Sequence, residues 1–160
     1  MKILVVYFSY SGCTEKVAQM IAKEVGADLE KITPVSPYTI DELRNIEHKI
    51  LNKEHREIQA LKSDLRDYDT IIIGTPVYWY TFAPPIRTFL MHNDLSEKRI
   101  RLFSTSAAGG GRTYRDMVEM LGNVPPSDYQ DFYMGTPYAD QVTQATLNNI
   151  RQRIHLWFKK

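Results

Sequence analysis

The stretch KILVVYFSYSGCTEKVAQMIAKEVG, residues 2–26, decides how the rest of the chain is read. Its first part, Ile3–Phe8, is a continuous apolar run rich in β-branched residues, the pattern of a strand buried on both faces. Val17, Ile21 and Val25, with Ala18 and Ala22 beside them, then recur at helical spacing, and Gly26 closes that helix. Between strand and helix lie Ser9, Tyr10, Ser11, Gly12, Cys13 and Thr14, with no carboxylate until Glu15. A buried strand that feeds an amphipathic helix is half of a βα crossover, which puts this loop at the carboxyl end of a parallel strand.

The same alternation continues downstream. ADLEKIT (27–33) alternates like a less buried strand at or near a sheet edge. TIDE (39–42) is a capping box, in which Thr39 and Glu42 satisfy each other's backbone N–H groups. The helix it opens carries Leu43, Ile46, Ile50, Leu51, Ile58 and Leu61, a pattern long enough for one helix or two. DTIIIGTP (69–76) is the clearest buried strand, ended by glycine and proline. Pro84 and Pro85 suit the first turn of the next helix, with Ile86, Phe89 and Leu90 on one face. RIRLFSTS (99–106) is a fourth strand, followed by AAGGGR and a helix carrying Tyr114, Met117, Val118 and Leu121 up to Gly122. DYQDFYMG (128–135) is a fifth, and Val142, Leu147, Ile150, Ile154, Trp157 and Phe158 make an amphipathic terminal helix. Five βα units without a hairpin signal predict a three-layer α/β/α fold. Its core is a doubly wound parallel sheet of five strands, formed as one domain over residues 1–160.

Composition excludes several classes. The 160 residues are 43% hydrophobic and 24% charged, ordinary for a soluble globular protein, and the net charge is +1. No global field favours nucleic acid or an acidic membrane. The single cysteine excludes an intramolecular disulfide and any cysteine-based metal cluster, and His48, His55, His92 and His155, on predicted helices or their ends, lack metal-ligand spacing. The first apolar run is too short for a signal-peptide core, and the charge-free segment 70–86 holds three prolines and a glycine, so neither is a membrane helix. A cytoplasmic location is expected.

In a doubly wound sheet, ligands sit at the carboxyl ends of the strands where the winding reverses. Three loops predicted there are chemically unusual: 9–14, 75–81 and 104–111. In the first, hydroxyls from Ser9, Ser11 and Thr14 join the unpaired N–H groups and positive dipole end of a helix that begins near Cys13, a constellation suited to a phosphate. Its plainer reading is a serine cap. Cys13 has two readings as well, a thiolate activated by the helix terminus or a loop residue contributing only its N–H. The loop lacks the patterns G-x-x-x-x-G-K-[ST] and G-x-G-x-x-G, and no arginine stands six residues beyond Cys13. The second, TPVYWYTFAPP (75–85), crowds Tyr78, Trp79, Tyr80 and Phe82 at a strand end, either to face a planar ligand or to meet a partner. The third, STSAAGGGRTY (104–114), removes side chains so that backbone N–H groups can line a crevice; Arg112 stands at the helix start beyond it.

Strand, [ST]-x-[ST]-G-x-T, then helix resembles the FMN-phosphate fingerprint of the flavodoxins, matched by Ser9, Tyr10, Ser11, Gly12, Cys13 and Thr14. GTPVYWYTFAPPIRTFL resembles the flavin-flanking loop of short flavodoxin-like proteins, and STSAAGGG their third loop. The resemblance covers essentially the whole chain and implies strand order 2-1-3-4-5. It also implies FMN as cofactor. The phosphate would be held by Ser9, Ser11, Gly12, Cys13 and Thr14, and the ribityl chain and inner ring edge by Thr75, Pro76 and Val77. Trp79, with Tyr78 in reserve, would stack on the ring. Ser106, Ala107, Gly109 and Gly110 would meet its outer edge by backbone contacts, and Tyr114 its other face.

The flavin would carry the redox chemistry, so no catalytic side chain and no metal is expected. Two roles follow from the resemblance. One is an electron carrier serving a redox partner protein; the other is an NAD(P)H-dependent quinone reductase. Carriers of the family are usually strongly acidic and often place a glycine in the flavin-flanking loop. This chain is nearly neutral and PVYWYTF has no glycine, which tilts the reading towards the reductase. A homodimer is compatible with either. A non-catalytic binding module on the same fold is the reading from a different class.

Overall fold

A computed structural model describes residues 1–159. The elements follow in the order β1 (Ile3–Tyr7), α1 (Cys13–Val25), β2 (Asp28–Lys31), α2 (Ile40–Arg44), α3 (Glu47–Leu51), β3 (Thr70–Tyr78) and β4 (Thr81–Phe82). They continue with α4 (Pro84–His92), β5 (Arg99–Ser106), α5 (Thr113–Leu121), β6 (Tyr129–Tyr133) and α6 (Gln144–Phe158). The sheet runs β2-β1-β3-β5-β6 with every neighbouring pair parallel, which is the expected winding. The additional strand, β4, is only two residues long and pairs antiparallel with the outer end of β3.

Alternation along the central strands splits the core into two layers. Leu4, Val6, Ile71, Ile73, Ile100 and Leu102 pack on one side against Ile86 and Phe89 of α4 and Met117 of α5. Val5, Tyr7, Ile72, Phe103 and Phe132 pack on the other against α1 and α6, through Val17, Ile21, Ile150 and Ile154. Both faces of a parallel sheet are thus covered, which explains why its strands read as unbroken apolar runs. Gly74 sits opposite Phe103 in the ladder, and a Cβ there would run into the Phe103 ring. Arg101 is buried in β5 with Nε 3.3 Å from Asp128 Oδ1, and its Nη1 donates to the Trp157 carbonyl at 3.2 Å. It ties the strand to the terminal helix.

Three expectations are corrected. The pattern opened by TIDE gives two five-residue helices that end at Leu51; Ile58 and Leu61 lie beyond them, outside any helix, and pack against the core from there. The capping box itself is present, with Glu42 N–H donating to Thr39 Oγ1 at 3.1 Å. Arg56 fastens the segment after α3, reaching Glu42 at 2.5 Å and the Ser36 carbonyl at 2.6 Å, while its backbone N–H donates to Thr88 Oγ1. Side-chain and backbone bonds therefore replace the helical ladder there, and His55 lies on no helix. Pro76 does not end β3, which continues to Tyr78. Beyond Gly74 the strand has lost β1 as a partner, so a residue without an N–H is tolerated on that side. A hairpin, unsignalled in the sequence, joins β3 to β4.

Candidate functional site

The loops that follow β1, β3 and β5 meet at the carboxyl end of the sheet. In the first, Gly12 adopts φ 95°, its N–H donates to Ser9 Oγ at 3.1 Å, and its carbonyl accepts the Lys16 N–H at 3.0 Å to start α1. A left-handed residue of this kind needs glycine. Among the described residues no protein group accepts from the backbone N–H of Cys13, Thr14 or Glu15. These are the orphan donors of a helix start, with the positive dipole end behind them. The Thr14 hydroxyl lies 2.7 Å from that of Thr105, so one proton of the pair is spent on their bond and the other is free. Ser11 is exposed. The only nearby carboxylate in the helix start is turned aside: Glu15 accepts from the Tyr7 hydroxyl at 2.9 Å and faces Lys31 at 3.6 Å. The unpaired donors and the dipole behind them suit an anion, with Lys16 and Asp140 contributing opposite fields at Cys13.

Cys13 is buried, and desolvation pushes its thiol up, outweighing the Ser11 hydroxyl that pulls the other way. That direction runs against the reading of an activated thiolate and leaves Cys13 as a contributor of its backbone N–H. Residues 136–141, to which the sequence assigned no element, lie against this loop. The Thr136 carbonyl lies 3.9 Å from Cys13 Sγ, and a Cβ on Gly12 would come within 3.1 Å of that of Ala139.

The second loop is a two-residue hairpin turn. Val77 pairs with Phe82 and Tyr78 with Thr81, leaving Trp79 at φ 47° and Tyr80 at φ 68° as the turn itself. Consecutive left-handed residues are the mark of a type I′ turn, normally built from Asn-Gly or Gly-Gly. Two large aromatics here cost about 1–3 kcal/mol each in backbone strain. They are nevertheless exposed, by 44% and 61%, and meet each other edge-to-face at 6.5 Å. Strain combined with exposure of apolar surface points to a function at the turn rather than to packing.

The third loop is fixed from behind by Asp131 of β6. Its carboxylate accepts from Ser104 Oγ at 2.6 Å and from Ser106 Oγ at 2.8 Å, and Ser106 Oγ in turn accepts the Gly109 N–H at 3.1 Å. The second and third loops then touch. Arg112 N–H donates to the Tyr80 carbonyl at 2.6 Å, and Gly111, at φ 58°, lies so close that a Cβ would stand 2.5 Å from that oxygen. Between them opens a pocket of about 350 Å³ lined by Val77, Trp79, Tyr80, Ser106, Ala107 and Gly109, with Ala108 and Gly111 at its edge.

Not every expected residue reaches this pocket. Thr75 is fully buried, its hydroxyl donating to the Pro76 carbonyl and accepting the Ala83 N–H, so it braces the loop from beneath. Tyr78 turns inward onto Phe8 and the core, and burial raises its phenol well above the usual tyrosine range. Gly110 backs onto Tyr129 and Asp131 rather than the opening. Tyr114 stacks on Tyr129 at 5.3 Å and donates to the Val124 carbonyl at 2.6 Å, which commits it to the interior. Pro76 is half-buried beside Val77 and outside the pocket lining. Conversely, Tyr80, Gly111 and Asp131 were missed as site residues. An acid flanked by Tyr129, Phe132 and Tyr133 in the edge strand was the available signal for Asp131.

Comparison with known proteins agrees with this geometry. The flavodoxin family model matches residues 2–134. A structure from Bacteroides eggerthii, assigned as a flavoprotein, superimposes with TM-score 0.78 at 23% identity, covering 99% of this chain and 96% of that one. Oxidised flavodoxin 2 from Bacillus cereus gives 0.60 at 16% identity, with 99% of each chain covered. At such identities these two speak to the fold. A flavoprotein from Lactobacillus acidophilus in complex with FMN gives 0.67 at 27% identity, over 82% of this chain and 90% of that one. Loop order, sheet winding and the matched family model lead to one assignment: the chain belongs to the flavodoxin family.

Proposed function

We propose that this protein binds FMN and acts as a flavin-dependent oxidoreductase. The observation that carries the reading is the pairing of two features at one end of the sheet. One is a set of unpartnered N–H groups at the start of α1; the other is a flat-sided pocket walled by a strained, exposed Trp79–Tyr80 turn. The fit is chemical as well as spatial. A phosphate dianion satisfies the N–H groups of Cys13, Thr14 and Glu15 together with hydroxyl protons of Ser9, Ser11 and the Thr14–Thr105 pair. Trp79 offers a ring face for stacking, with Tyr80 beside it, and the backbone of Ser106, Ala107 and Gly109 offers the polar edge. When bound, FMN supplies electron transfer in one- or two-electron steps. The chain's own groups bind, orient and shield the ring, and none of them is required as an acid or base.

A two-electron reductase, taking electrons from NAD(P)H to a quinone-like acceptor, is favoured over a dedicated carrier by one observation. Both turn residues already hold left-handed backbone without a glycine, so the turn has little freedom to rearrange as the ring changes oxidation state. Titration of apoprotein with FMN, followed by flavin absorbance, tests binding; saturation at or below micromolar FMN is expected, and its absence removes the reading. NADPH oxidation with menadione by the yellow protein then separates reductase from carrier.

A further inference from the structure

On the far side of the Trp79–Tyr80 turn lies a second cavity of about 350 Å³, between α3, α4 and α5. Its charged lining is Lys53, Arg87, Arg112, Arg115, Asp116 and Glu119. Four cations against two carboxylates give this groove a charge of +2, when the whole chain carries only +1.

Two of the four cations share a single acid, and the other two face none within ion-pair distance among the described residues. Asp116 is already served by the Thr81 hydroxyl at 2.7 Å, by Arg115 Nε at 3.3 Å and by Arg112 Nε at 3.7 Å. Arg87, half-buried, has no carboxylate within 4.0 Å among the described residues. Its guanidinium rests over the Phe82 ring at 4.7 Å, and Nη1 lies 3.4 Å from the Met120 sulfur. Neither partner takes up its hydrogen-bonding fork, and burial lowers its pKa against the opposing fields of Asp116 and Glu119. Lys53, which is exposed, is held at φ 53° without an ion pair among the described residues.

The groove adjoins the flavin-side pocket through a single wall. Tyr80 and Gly111 line the pocket, their sequence neighbours Thr81 and Arg112 line the groove, and the Arg112 N–H to Tyr80 carbonyl bond closes the wall between them. A molecule lying across that wall touches both cavities. Guanidinium forks match phosphate oxygens, and several cations around one opening suit a group carrying more than one negative charge. A simple monocarboxylate would use one of them.

We propose that this groove is an anion subsite that anchors the diphosphate of a nucleotide electron donor while the donor's redox ring reaches the flavin pocket. This rests on the flavin reading above. The test uses FMN-loaded protein, so that the α1 cradle is filled, and titrates it calorimetrically with inorganic pyrophosphate. Saturable binding is expected, weakened tenfold or more by Arg87→Gln and by Arg115→Gln, and unchanged by Lys23→Gln on α1. Arg115 is largely exposed, so its variant folds even if removal of the Arg87 stem does not. In turnover, Arg115→Gln is expected to raise the KM for NADPH about tenfold with kcat unchanged. Absence of saturable pyrophosphate binding, an affinity unchanged from that of the unsubstituted protein in both arginine variants, or an unmoved KM each overturns the proposal. Flavin content is read from absorbance in the same samples. A colourless protein therefore condemns the flavin reading, whereas a yellow one indifferent to pyrophosphate condemns only the groove.

Discussion

The loops after β1 and β5 are built from the same materials, serines, threonines and glycines between a strand and a helix, yet they end in opposite states. In residues 9–14 the N–H groups of the helix start stay unpaired. In residues 104–112 the hydroxyls of Ser104 and Ser106 are given to Asp131, and the Arg112 N–H is given to Tyr80. The first loop is a receptor and the second is a shaped wall. The lesson is that composition marks a loop as special, while the partners supplied by neighbouring strands decide what it can still do.

That contrast can be broken most forcefully at Gly111. Gly111→Ala forces a Cβ against the Tyr80 backbone at a left-handed φ, at a cost of about 2 kcal/mol or more. A clear fall in urea midpoint and a weakened FMN affinity are expected; unchanged values would mean the two loops are not locked together. Next in size, Asp131→Ala strips the acceptor from two buried serine hydroxyls and costs about 1–3 kcal/mol in unfolding free energy. Ser11→Ala should behave differently, leaving stability nearly unchanged while weakening FMN by about 0.5–1.5 kcal/mol, since its hydroxyl is exposed and touches only the weakly bonding Cys13 thiol. If Ser11→Ala destabilised the fold as Asp131→Ala does, the distinction between receptor and wall would fail.

The smallest effect is confined to alkaline pH. Burial raises the Tyr129 phenol from 10.0 to about 12, with the Ser104 hydroxyl acting against the shift. A raised folded-state pKa means that the neutral phenol favours the fold. Its contribution is complete below pH 10 and is lost as pH rises through about 12. Comparing urea unfolding of the native protein and Tyr129→Phe between pH 9 and 12, roughly the span of that titration, should show a gap that narrows as pH rises. A constant gap would detach Tyr129 from the wall's titration.

Much of this was open to inspection in the residues alone. Unbroken β-branched runs at 3–8 and 71–73, helical periodicity from Val17 to Val25, and a capping box at Thr39 each depend on local chain physics, so all three were readable. So was the loop at 9–14, because a helix start exposes its N–H groups wherever it occurs. Less was readable between 52 and 64, where apolar spacing mimics a helix but Arg56 and Thr88 bind the chain in another shape. The hairpin at 79–80 was hidden for a similar reason. Its turn breaks the usual residue preference, and the β3–β4 pairing with the Arg112 bond to Tyr80 holds two aromatics in left-handed backbone.

Sequence by itself determined the alternation of strands and helices and the donor-rich loop at the first crossover. Both follow from periodicity and from the unsatisfied groups of a helix terminus, which are properties of a few adjacent residues. Tertiary structure alone decided that Tyr78, Thr75 and Tyr114 face inward, that Asp131 stiffens the third loop, and that four cations gather around a groove. Those outcomes depend on which strands lie side by side, and side chains 20 or more residues apart in the chain meet only once the sheet has been wound.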